Sequence, residues 1–194
     1  MTTNKQALIN GIDTNAIRSL AKIAADDPSK GISKFRATTS WLGGTKSVAQ
    51  INSWSMGGRE LTKNFEIIID EPSELLGENA APNPQEFLLA ALNACMTVGY
   101  AAVAALDGIQ LTKLQIETHG ELDLRGFLGN PDVAPGYENL EYTVTIAGDG
   151  TPEQLQAVHE KVMATSPNRW NIANAIKLHP RLVIHDQTTA YAAD

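Results

Sequence analysis

The sequence predicts an α+β protein in which antiparallel sheets pack around one long buried helix and two chains intertwine as a homodimer. Three observations carry this reading. Residues 35–70 and 114–146 read as successive strands, an order that suits α+β architecture and not the strict alternation of a parallel βαβ sheet. Residues 83–107 form a helical pattern that is apolar nearly all round, and such a helix needs cover on nearly every side. A single chain of 194 residues supplies that cover only with difficulty, which points to a second copy.

The elements follow in order. Residues 13–25 read as an amphipathic helix with Asp13 as cap, an Ile17, Leu20 and Ala24 stripe, and Pro28 against continuation. Phe35, Ala37, Thr39 and Trp41 alternate with polar residues as in a half-buried strand. Gly43-Gly44 and Gly57-Gly58 offer turns before strands at 48–54 and 64–70, and residues 71–82 form a Pro/Gly/Asn-punctuated loop. Asn83, Pro84 and Glu86 make a helix opening of cap, first-turn proline and capping-box carboxylate, and Gly108 suits the other end.

Alternation of Leu114, Ile116, Thr118, Gly120 and Leu122 with polar residues predicts a long strand with one wet face. Leu140, Tyr142, Val144 and Ile146 make its partner. The intervening Gly/Pro loop at 126–138 keeps Phe127 and Tyr137, and is expected to wall a pocket beside Cys95. Thr151 to Gln154 open a further helix, Ser166-Pro167 break it, residues 168–177 read as a short helix, and residues 181–185 as a final edge strand. We expect a helical extension at 1–32 and one globular domain at 33–190, with no repeats.

Composition narrows the function. A net charge of −7 with a pI near 5.1 argues against a nucleic-acid or anionic-membrane partner. The apolar stretch at 87–106 has bilayer-spanning length, but it is alanine-rich, carries Asn93 and Thr97 and has acidic flanks, so it reads as a core helix. The lone cysteine, Cys95, excludes an internal disulfide, and residues 1–10 lack a secretory pattern; both favour the cytoplasm. His119, His159, His179 and His185 show no metal-ligand spacing, and no phosphate cradle is present, so neither metal nor cofactor is expected. His159-Glu160 reads as a surface pair on its helix.

Cys95 is the candidate for chemistry. A free cysteine is most often inert packing. To react, its thiolate needs a nearby positive charge, and three turns in from the helix start the dipole helps little.

The run from Asn83-Pro84-Gln85-Glu86 to Ala94-Cys95 resembles the hallmark of the osmotically-induced-protein C / organic-hydroperoxide-resistance (OsmC/Ohr) family. Trp41-Leu42-Gly43-Gly44, Asp70-Glu71-Pro72, the 123–129 segment, Pro135-Gly136-Tyr137 and Ser166-Pro167 match in the same order. The resemblance covers roughly residues 33–185 and implies the dimeric α+β fold.

It also implies a peroxide-reducing helix cysteine, a second cysteine that resolves it, and an arginine–carboxylate pair that holds the thiolate. This chain departs at each partner. Ser166 stands at the second cysteine, Lys46 best matches the arginine, and Gln85 occupies the carboxylate position. Glu86, nine residues before Cys95, points about 180° away on its helix and suits capping, unless it reaches a site in the other chain. The expected activity is therefore a one-cysteine, thiol-dependent peroxidase acting on a small peroxide with an external thiol. The alternative is a non-catalytic dimeric protein that binds a small apolar or thiol-bearing ligand.

Overall fold

The computed structural model describes residues 8–184. Helix α1 (Thr14–Asp26) starts where Asp13 accepts from the Asn15 and Ala16 N–H groups. It buries none of its residues. The extension is tied down mainly by Asn10, whose side chain donates to the Ala101 and Ile109 carbonyls and accepts from Leu111 N–H at 2.7 Å.

Strands β1 (Ser33–Phe35), β2 (Thr38–Gly43), β3 (Lys46–Met56) and β4 (Arg59–Ile69) form an antiparallel sheet. The stretch expected as one strand is broken at Arg36-Ala37, so β1 pairs with the far end of β3 and β2 with its near end. The β3–β4 turn needs two residues at positive φ, which Gly57 and Gly58 provide at 55° and 78°.

Helix α2 (Pro84–Leu106) opens with the Asn83/Glu86 capping box and closes before Gly108 in the left-handed region. Strand β5 (Leu111–His119) and β6 (Glu141–Gly148) pair antiparallel, and the connecting loop holds a one-turn helix, α3 (Leu124–Phe127). Helix α4 (Pro152–Thr165) has the Thr151/Gln154 capping box, and α5 (Pro167–Ala173) follows at once. Residues 181–184 are not a strand, contrary to expectation; no ladder partner among the described residues reaches them, and His185 lies outside the described residues.

The core joins Leu92, Met96, Tyr100 and Ala104 of α2 to Val158 and Val162 of α4, over Leu114, Ile116, Val144 and Ile146 of the β5–β6 hairpin. Gly99 permits the close α2–α4 approach: a methyl group there would meet Val162 Cγ1 at 3.2 Å. Among the described residues, α2 is the one helix long and apolar enough to cross a bilayer. It packs on β5, α4 and α5, and Asn93 binds β5 through the Ile116 carbonyl and the Thr118 hydroxyl. The expected cover is incomplete within one chain, where Val98 is 68% exposed. The β1–β4 sheet makes no substantial contact with α2.

Candidate functional site

Cys95 is half-buried on α2, between the core residues Leu92 and Met96. Pro167 ends α4 and starts α5, and the junction residue Ser166 is buried. A serine at a helix N-cap ordinarily accepts a backbone N–H with its side chain. Ser166 makes no such cap bond; its Oγ instead donates to Cys95 Sγ at 3.6 Å. Asn168 Nδ2 donates to the Ala91 carbonyl at 2.8 Å, fastening α5 to the turn before Cys95.

The other predicted site residues lie in different contacts within the chain. Glu86 accepts from Asn83 N–H at 2.8 Å, the capping role its helical phase suggests. Gln85 is exposed on the first turn of α2. Lys46 Nζ binds Glu78 Oε2 at 2.5 Å, and this bond raises the lysine's pKa. Beside it, buried Asp70 accepts from Thr45 Oγ1 at 2.7 Å and from the Glu78 and Ala80 N–H groups at 3.1 Å. These bonds, the Thr45 hydroxyl foremost, hold its pKa at about 2. Asp70 thus ties the β2–β3 turn to the loop that leads into α2.

Two features were not legible in the sequence. The first is a cleft of about 530 Å³ walled by Leu88, Leu92, Leu140 and Ile172, with Tyr137 and Tyr142. Arg169 stands in its wall, donating through Nε to Tyr142 Oη at 3.2 Å and through Nη1 to the Met163 carbonyl at 2.9 Å. Tyr137 of the 126–138 loop lines this cleft at Leu92, but Cys95 is not in its wall and Phe127 is 74% exposed, so the loop is not seen to wall the expected pocket at the thiol. The only hint of Arg169 was its place three residues after Ser166. The second feature corrects the surface pair expected at His159-Glu160. His159 Nδ1 meets Tyr100 Oη at 2.6 Å, and Tyr100 is fully buried. Burial, with a smaller contribution from Tyr142, pushes the Tyr100 pKa up to about 12.

The profile of the family described as OsmC-like protein matches residues 77–181, which include α2, Cys95 and Ser166. Among solved structures, an OsmC-like protein from Mycoplasma pneumoniae superposes with a TM-score of 0.57 at 16% identity, over 72% of this chain and 87% of that one. A putative osmotic stress induced and detoxification response protein from Psychrobacter arcticus gives 0.54 at 17% identity, over 74% and 88%. An OsmC-like protein of unknown function from Vibrio cholerae gives 0.51 at 16%, over 71% and 92%. No functionally curated protein matches the sequence.

Proposed function

The chain belongs to the OsmC-like protein family, and from that premise we propose that it reduces small organic hydroperoxides at Cys95 with an external thiol as reductant. The observation that carries the reading is the Ser166–Cys95 contact, in which a buried hydroxyl gives up helix capping to face the thiol. The Cys95 thiolate attacks the distal peroxide oxygen. The O–O bond breaks, the alcohol leaves with a proton, and Cys95 becomes a sulfenic acid. Ser166 donates a hydrogen bond to the sulfur but cannot form a disulfide. An outside thiol therefore condenses with the sulfenic acid, releasing water and leaving a mixed disulfide. A second thiol attacks that disulfide, restores Cys95 and departs as the oxidised external pair.

Within this reading the protein is a cytoplasmic intertwined homodimer. The exposed side of α2 at Val98 and the unpacked sheet, with Phe35 75% and Trp41 76% exposed, support a second copy as their cover. Lys46 supplies positive charge to a thiol in that assembly, Gln85 stands at the family's carboxylate position, and Glu86 reaches a Cys95 site only from the other chain.

Pairing of Lys46 with Glu78 favours a second reading, because a cation already neutralised does less for a thiolate. In it the protein is a non-catalytic dimeric member that binds a small apolar or thiol-bearing ligand. Turnover of an organic hydroperoxide with supplied thiols separates the two. The first reading expects activity that Cys95→Ser abolishes and Lys46→Ala lowers. Equal turnover by Cys95→Ser would sink it, and no turnover with any thiol would leave the second.

A further inference from the structure

The cleft at Leu88 and Leu92 of α2 has the make-up of a binding site. Its walls are aliphatic and aromatic, and its volume of about 530 Å³ falls in the range that encloses small organic molecules. One cation stands in it. Arg169 is partly buried, and its bonds to Tyr142 Oη and the Met163 carbonyl use Nε and Nη1. These two bonds fix the guanidinium plane, which leaves Nη2 for another acceptor and lowers the entropy lost when one binds. Neither bonded partner is a carboxylate, so the positive charge is not neutralised by them. Glu138 is the opposing charge in the lining; it sits on the exposed loop, where water screens it.

The geometry points to a site for a compact organic anion, an apolar body carrying one carboxylate, with the carboxylate on Arg169 and the body along Leu88, Leu92 and Leu140. Cys95 is not itself in the cleft wall; the two are linked through Leu92, one turn before the thiol, and through α5, which carries Arg169 and whose start holds Ser166 on Cys95 and Asn168 on Ala91. The inference rests on the reading of Cys95 as the reactive thiol, for the bound molecule is then the one presented to it. Arg169 is a binding residue here, and Glu138 weakens the preference for an anion.

The test needs no peroxide. Decanoate and decanol, which share an apolar chain and differ in charge, are titrated against the full-length protein by calorimetry below their aggregation concentrations. The site predicts that decanoate binds about tenfold more tightly than decanol, a difference of about 1.4 kcal/mol. Arg169→Gln should erase the difference, and Glu138→Gln should widen it. Circular dichroism checks that Arg169→Gln is folded; if it is not, Glu138→Gln and the loss of preference at high salt decide. Equal binding of the two probes, binding of neither, or a preference unmoved by the deciding variants would overturn the site. Peroxide turnover is scored separately. Anion preference without turnover would keep the site and remove the Cys95 reading; turnover without preference would do the reverse.

Discussion

In the body formed by α2, α4, β5 and β6, the large side chains of Leu92, Met96, Tyr100, Val158 and Val162 are buried. In the β1–β4 sheet, Phe35, Trp41 and Phe65 stand in water. The backbones do not account for this, since the β3–β4 ladder runs nearly the whole length of both strands and is as regular as β5–β6. The body has a second layer: α2 packs on β5 of the hairpin and on α4, and α4 also meets β6 where Tyr142 Oη donates to Met163 Sδ. The sheet has none in its own chain, although Phe35 stacks on Trp54 at 5.7 Å and Lys63 lies over the same ring. Hydrogen bonding alone makes a sheet; burying its face takes another surface.

This contrast can be broken by mutation. Leu92→Ala should have the largest effect, about 2–5 kcal/mol by chemical denaturation, because the cavity opens in the middle of the core. A loss under about 1 kcal/mol would mean that the body is not the stable half. Tyr100→Phe should cost about 1 kcal/mol by removing the His159 bond while keeping the ring packed. No change on this substitution would show that the pair contributes nothing to holding α4 on α2.

Acid should weaken the loop that precedes α2. The native Asp70 pKa of about 2 lies below the ~3.9 of an unfolded aspartate. The unfolded chain therefore takes up the proton first. Stability from Asp70 is complete above pH ~4 and is lost as pH falls towards 2. Denaturation midpoints across that window should fall less for Asp70→Asn than for the wild type; identical slopes would assign the acid response elsewhere.

The smallest effect is expected in the sheet. Trp41→Ala should cost under about 0.5 kcal/mol in dilute monomer, as for other exposed positions. At high protein concentration it should weaken association, read by sedimentation. A large loss in the monomer would show that the sheet face is covered within one chain.

The helices were legible because their signals are local. Asn83 with Glu86, and Thr151 with Gln154, announce their own boundaries, and both boxes form. The hairpins were legible from paired glycines and alternation. The break at Arg36-Ala37 was not, since the alternating pattern runs straight through it and only pairing with two ends of β3 reveals it. At 181–184 a final edge strand was expected, but a strand also needs a ladder. Cys95 and Ser166 came together through the family resemblance, not through spacing, because 71 residues separate them. Arg169 on Tyr142 and His159 on Tyr100 depend on how α4 and α5 lie over α2 and the hairpin, which no residue pattern encodes.

The central claim is that Cys95 is a peroxide-reactive thiol whose resolving sulfur comes from outside the chain. Intact mass after one equivalent of an organic hydroperoxide, followed by a small thiol, tests it most directly. The account predicts one added oxygen on Cys95, then its replacement by a mixed disulfide, then recovery of the free thiol with excess reductant. Excess peroxide without thiol should drive the same residue on to the sulfinic state, since no internal sulfur intercepts it. An unmodified Cys95 after exposure to hydroperoxide, in folded protein, would contradict the claim.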